Sequence, residues 1–170
     1  MRRRLGLDQV WLVVSPGNPL KPAAGMAAAA ERLASARVIA DGRRIVATGI
    51  EAKLGTRYTV DTLRLLRRRF PRARFVWLMG ADNLTDFPRW RGWRRIARLM
   101  PFAVYPRPGY NFRALAGQAA QKLHRSRRRP CQAARLANQP PPAWIFLPAA
   151  QHPASATALR AARHADHHGE

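Results

Sequence analysis

The chain has 170 residues, 47% of them hydrophobic, which suits one folded domain with a real core and argues against disorder over most of its length. Its 31 lysines and arginines against 9 acidic residues give a formal charge of +22, yet only Lys21, Lys53 and Lys122 are lysines. The arginines are spread along the chain apart from Arg67–Arg69 and Arg125–Arg129, so the excess reads as compositional bias rather than a nucleic-acid surface, although charge alone keeps that class open.

No apolar run approaches the roughly 18 residues of a membrane helix. The start, MRRRLGLDQVWLVV, has a basic end before apolar residues, but Asp8 and Gln9 interrupt it and no small-residue cleavage site follows. Cys131 is alone, which excludes a disulfide framework and a cysteine metal cluster. A cytoplasmic location is expected.

Gln9–Val14 reads as a strand, ending at the loop Ser15-Pro16-Gly17-Asn18-Pro19, where proline fixes φ and glycine permits unusual angles. Met26–Ala40 is alanine-rich with apolar residues near helical spacing, so a helix is expected. Arg43–Thr48 reads as a second strand. Thr59 is placed to cap the next helix, with Leu63, Leu66 and Phe70 as its apolar stripe and Pro71 ending it.

Phe75–Met79 is an apolar run of five, too short for a helix core and suited to a strand buried on both faces. It breaks abruptly into Gly80-Ala81-Asp82-Asn83. Glycine allows close approach there, and Asp82 and Asn83 suit a helix cap or a ligand contact. The carboxyl end of such a strand is where open α/β sheets bind ligands.

Trp90–Met100 reads as a helix, Phe102–Tyr105 as a fourth strand, and 113–124 as a further helix. Arg125–Pro142, rich in arginine and proline, reads as a mobile connection. Trp144–Leu147 is a last strand, and Ser155 can cap a final helix. Strands alternating with helices predict an α/β fold, a parallel sheet with helices on both faces.

Several segments fall at strand ends in a telling order. They are Ser15-Pro16-Gly17-Asn18-Pro19-Leu20-Lys21, then Tyr58-Thr59-Val60-Asp61-Thr62-Leu63, then Met79-Gly80-Ala81-Asp82-Asn83-Leu84 with Phe87-Pro88-Arg89-Trp90. Arg107-Pro108-Gly109-Tyr110 and Ser155-Ala156-Thr157-Ala158-Leu159-Arg160 complete the set. Together they resemble bacterial nicotinate-nucleotide adenylyltransferases over about residues 5–163. The resemblance implies a Rossmann-like nucleotidyltransferase fold over residues 1–163, with 164–170 a disordered tail. It also implies AMP transfer from ATP to nicotinate mononucleotide, giving deamido-NAD and pyrophosphate, with Mg²⁺.

Carried over by position, the resemblance implies that Trp90 stacks on the nicotinate ring and that Thr59, with the amides of its helix start, holds the nicotinate carboxylate. Gly80 and Asp82 would meet the adenosine half of ATP. Lys21, Arg107, Ser155, Thr157 and Arg160 would meet its phosphates, with Ala156 where the family has a second serine. Each residue has a plain alternative: a core tryptophan, an N-cap at Thr59 or Asp82, a capped terminal helix, and exposed cations.

The family opens with a strand, a Gly-Gly-Ser-Phe-Asn-Pro loop and a His-x-Gly-His element whose histidines bind the ATP phosphates. None of these occurs here. His124, His152, His164, His167 and His168 come late in the chain and cannot substitute, so no catalytic residue is assigned. The missing piece, a first strand, loop and most of a helix, amounts to roughly 25–30 residues by ordinary element lengths. A late start codon or a truncated gene is the expectation, with poor stability and reduced activity. The alternatives are a basic nucleic-acid-binding protein and a binding-only remnant. The tail His164-Ala165-Asp166-His167-His168 is expected to be disordered and polar rather than a metal site.

Overall fold

The computed structural model describes residues 2–15 and 28–149. Among the described residues, five strands fall into two parallel sheets. β1 (Val10–Val13) pairs with β2 (Ile45–Thr48), and β3 (Trp77–Gly80), β4 (Phe102–Tyr105) and β5 (Trp144–Phe146) lie side by side in that order. The α-helices are α1 (Ala29–Ile39), α2 (Ile50–Leu54), α3 (Thr59–Arg69), α4 (Ala81–Asp86), α5 (Trp93–Leu99), α6 (Asn111–Ala116) and α7 (Gln118–Lys122). Parallel neighbours need long crossovers; α1 lies in the first, α4 and α5 in the second and α6 and α7 in the third, while α2 and α3 link the two sheets. The α/β class with parallel sheets is therefore observed, in two sheets rather than one.

β4 is the strand that reads most simply from its residues. Pro101 and Pro106 bracket Phe102-Ala-Val-Tyr, and the strand lies between two neighbours, so both faces are covered. Phe102 and Val104 face a core built with Met79, Trp144, Leu63, Leu66, Phe87 and Ile96 under the α-helices. Ala103 faces the other way, into a smaller core with Leu5, Leu136, Ile145 and Leu147. The indole of Trp144 stacks on Phe102 at 5.7 Å and donates to the Leu123 carbonyl at 2.8 Å, so its one polar group is satisfied in the core.

The second core corrects the expected mobile connection. Residues Pro130–Asn138 form a 3₁₀ helix, and its Ala133 and Leu136 are buried against Leu5 and Ile145. Arginine and proline density there marks a solvent face, while the two apolar residues dock the segment. The expected Trp90–Met100 helix is preceded by a short 3₁₀ turn (Phe87–Arg89) and starts late: Gly92 adopts φ +66° before α5 begins at Trp93. The expected helix over 113–124 is two helices divided at Gly117, where a Cβ would meet the Arg113 carbonyl oxygen at 2.9 Å.

β3 is half-buried at most positions and starts at Trp77, so the both-faces-buried reading of Phe75–Met79 belongs to β4 instead. α1 forms within the expected range but contributes no buried residue, and Val38 and Ile39 are exposed. The short α2 follows β2 with no counterpart in the sequence reading. β2 is launched by Asp41, whose Oδ1 accepts from the amides of Arg43, Arg44 and Ile45 at 2.9, 2.6 and 2.8 Å. Those amides, Ile45 foremost, hold its carboxyl below the usual carboxylate range.

Candidate active site

A cleft of about 870 Å³ separates β1 from β3. Thr59, Thr62 and Glu51 line it together with Trp90, while Trp11 and Trp77 face it from the two strands. Two of the sequence-predicted residues, Thr59 and Trp90, are thus brought to one cavity from separate segments. Trp90 is half-buried and leans on Trp77 and Phe87, with ring centroids 5.5 and 6.1 Å away. That packing fixes the indole without burying it, so Trp90 is part of the core's edge and of the cleft wall.

Thr59 is not an N-cap. Tyr58 occupies that position with extended angles and no side-chain cap, and its carbonyl accepts from Asp61 and Thr62. Thr59 is the first helical residue, so its amide belongs to the opening turn, whose N–H groups have no partner within the helix. An eleven-residue helix whose first two amides, at Thr59 and Val60, precede its hydrogen-bonded turn has a partial positive end that favours an anion there. Arg91 stacks over the Tyr58 ring at 4.6 Å, adding a guanidinium beside the same helix start.

Behind Thr59 lies a polar network that the sequence reading did not assign. The Thr62 hydroxyl contacts a Glu51 carboxylate oxygen at 3.1 Å and the Thr56 hydroxyl at 2.8 Å, and the Thr56 amide donates to the Glu51 carbonyl at 3.0 Å. All three side chains are buried. The network ties α2 to the first turn of α3 and so sets where its opening amides point. A lone glutamate in a five-residue helix carries no sequence pattern, and this is why it escaped notice.

A second cluster forms where β3 and β4 end. Gly80 is the N-cap of α4, and Asp82 is its second residue with no side-chain cap bond, so the cap reading of Asp82 does not hold. Its Oδ1 is buried, lacks a hydrogen-bond partner, and lies 3.8 Å from Arg107 Nε. Arg107 is held by its own amide, which donates to Asn111 Oδ1 at 2.7 Å. Gly80, Asp82 and Arg107 thus converge, at the carboxyl edge of the parallel sheet. Lys21, Ser155, Thr157 and Arg160 lie outside the described residues, as do the expected final helix and tail.

In a parallel α/β architecture, polar groups gathered at strand ends mark the ligand-binding edge of the sheet. The cytidylyltransferase-like family model matches residues 1–162. A protein of Gluconacetobacter diazotrophicus named "probable nicotinate-nucleotide adenylyltransferase" is 64% identical over 94% of this chain and 74% of its own length. Proteins of the same name from Gluconobacter oxydans and Bradyrhizobium sp. (strain ORS 278) are 58% and 50% identical over 93% of this chain, and 81% and 82% of theirs. The chain belongs to the cytidylyltransferase-like family of nucleotidyltransferases and, within it, to the group of nicotinate-nucleotide adenylyltransferases. Among the described residues, no helix is long and apolar enough to cross a membrane.

Proposed function

We propose that residues 1–163 form a single adenylyltransferase unit, acting in the cytoplasm, that joins nicotinate mononucleotide to the AMP moiety of ATP. The observation that carries this reading is the cleft that places Trp90 and the opening turn of α3 on one cavity. A flat indole and an anion-favouring helix start are what an aromatic ring bearing a carboxylate requires. Trp90 stacks the ring, and Thr59 with its amide receives the carboxylate.

Gly80 and Asp82 take the adenosine half, Asp82 accepting from ribose hydroxyls with the oxygen that has no hydrogen-bond partner. Arg107, Lys21, Ser155, Thr157 and Arg160 meet the polyphosphate. In the reaction a phosphate oxygen of the mononucleotide attacks the α-phosphorus of ATP. The bond to the bridging oxygen breaks, and pyrophosphate leaves with that oxygen. Catalysis of this kind is mostly positioning and charge stabilisation, which arginine and helix amides provide.

Among the described residues no three His, Cys, Asp or Glu side chains converge on one point. A site that borrows substrate phosphates needs few protein carboxylates, so Mg²⁺ belongs to the MgATP substrate and no protein ligand is assigned to it.

The 170-residue chain lacks the histidine element expected to bind the ATP phosphates. Its only histidine among the described residues, His124, is exposed and bonded through Nδ1 to the Gln121 carbonyl. Binding without efficient transfer is therefore the second reading. Pyrophosphate release from purified protein with ATP and nicotinate mononucleotide decides between them. Turnover at least a hundredfold below that of the Gluconacetobacter relative, with the mononucleotide still bound, is expected; equal turnover would sink the slow-transfer claim, and no binding would sink the site.

A further inference from the structure

Arginines that are scattered along the sequence gather in the fold. In the β3–β4–β5 sheet, the segments entering the strands meet at its amino edge, and hydrogen bonds tie them together there. The Trp77 amide donates to the Pro101 carbonyl, the Phe102 amide to Ala143 and the Arg128 amide to Trp144. Arg67 Nη1 donates to the Leu99 carbonyl at 2.7 Å, joining the ends of α3 and α5, and Arg74 donates to Asn138 Oδ1. This edge carries Arg67–Arg69 from the last turn of α3, Arg72 and Arg74 before β3, and Arg98 before β4, all exposed. Arg125, Arg127 and Arg129 are exposed beside the start of β5, where Arg127 bridges to Trp144.

Carboxylates go the other way. Arg64–Asp61, Arg89–Asp86 and Arg107–Asp82 are ion pairs whose acids lie in α4 or the first turn of α3, toward the carboxyl edge. Asp8 and Asp41 precede strands of the other sheet, and three backbone amides occupy the Asp41 carboxylate. Among the described residues no ion pair engages the arginines of the amino edge. Cations at a helix end complement its partial negative charge, which accounts for Arg69 and Arg98. It does not account for Arg72 and Arg74, which follow Pro71 outside any helix.

We propose that this amino edge is a docking face for duplex DNA, held by its phosphate backbone without regard to base sequence. Guanidinium forks match phosphate oxygens with two parallel hydrogen bonds. The approaches to β3 and β5 lie two strand spacings apart, about 10 Å. That is close to the roughly 12 Å width of a major groove, so arginines on the two sides can meet phosphates of both strands. A protein partner would need an apolar centre. Among the described residues Phe70 is the one large apolar side chain exposed at this edge. DNA interfaces are instead polar and strongly cationic. The face lies at the opposite edge of the sheet from Gly80, Asp82 and Arg107, so docked DNA and bound nucleotide occupy different ends of it.

The test measures binding of the full 170-residue chain to a fluorescent DNA duplex of about 20 base pairs by anisotropy, between about 0.05 and 0.2 M salt. A Kd of about 1–100 µM is expected, equal for duplexes of different sequence. Two triple variants of identical net charge separate the face from the total charge. One carries Arg68→Gln, Arg72→Gln and Arg98→Gln; the other carries Arg57→Gln, Arg95→Gln and Arg113→Gln, all exposed and away from this edge. The edge variant should bind at least about tenfold more weakly and lose about 3 from the slope of log K against log salt, nearly one per phosphate contact. The second variant should lose less than about threefold in affinity. Equal losses overturn the proposal, since an unfolded polycation would show them. Displacement of the duplex by ATP and nicotinate mononucleotide at constant ionic strength overturns it too, by placing the DNA in the nucleotide site. Polyglutamate of matched charge competing as well as DNA would overturn the choice of partner. A failed pyrophosphate assay leaves the proposal standing, because the face lies apart from the reacting groups.

Discussion

Gly80 and Asp82 share one small volume: a Cβ on residue 80 would lie 2.2 Å from Asp82 Oδ1 and 3.1 Å from Arg107 Nε. The glycine makes room for the carboxylate and its arginine. Both contacts are ends of movable side chains, so Gly80→Ala should fold with little loss of thermal stability while rotating Asp82 out of place. Adenine-nucleotide affinity should fall about tenfold, equivalent to about 1.4 kcal/mol. Calorimetric titration with ATP checks this, and unchanged affinity would remove Asp82 from the adenosine site.

Trp90→Ala should weaken nicotinate mononucleotide binding by roughly tenfold, the upper range for one aromatic stack of about 0.5–1.5 kcal/mol. Because Trp90 also rests on Trp77 and Phe87, the same change should lower the unfolding midpoint. Trp90→Phe separates the two effects, restoring most of the affinity and part of the stability. Equal affinity in all three proteins would leave Trp90 a packing residue only.

How far the residues announced this arrangement varies by element. β4 was readable to its ends because two prolines bracket an apolar tetrad. β3 was displaced by two residues: Phe75 and Val76 belong to the apolar run but precede the ladder, which begins where the Trp77 amide meets Pro101. Pairing with Tyr105 then carries the strand onto Gly80. Pro130–Asn138 was misread because a proline- and arginine-rich composition says nothing of Leu136, whose burial depends on Leu5 at the far end of the chain. That Thr59 and Trp90 share a cleft follows from no local pattern, and only the family resemblance pairs them. Glu51 was invisible, since one buried carboxylate has no periodicity.

Thr62→Val removes a hydroxyl at nearly constant shape and leaves the buried Glu51 oxygen without its donor. A loss of about 1–3 kcal/mol is expected in urea unfolding. Mononucleotide affinity should drop as well, because the α3 start is no longer tied to α2. A stable variant with unchanged binding would show that the network does not position Thr59.

Leu136→Ala tests the docked 3₁₀ segment. The side chain is wholly buried, so truncation should cost about 2–5 kcal/mol. A mobile connection would lose almost nothing, and chemical denaturation distinguishes the two.

Tyr105 carries a buried hydroxyl without a hydrogen-bond partner, and burial raises its pKa above the usual 10.0, with Arg4 opposing. The unfolded chain ionises first, so this tyrosine's contribution is intact below pH 10 and is lost as pH climbs through the folded value. Tyr105→Phe should therefore match or exceed the parent protein at pH 8 and unfold less readily than it above pH 10. Denaturation midpoints between pH 8 and 11 would show the variant's advantage grow above pH 10, and parallel curves would remove the effect.

The stacked guanidiniums bear on what a charge of +22 amounts to. Arg91 lies over Tyr58, Arg94 over Trp93 at 5.5 Å, and Arg127 over Trp144 at 5.3 Å. These cations serve as lids on ring faces at the margin of the core, a task that the planar guanidinium suits better than an ammonium. A chain so poor in lysine is therefore cationic partly for reasons of shape. Stacking sets the orientation of these three cations and leaves each carrying its full positive charge.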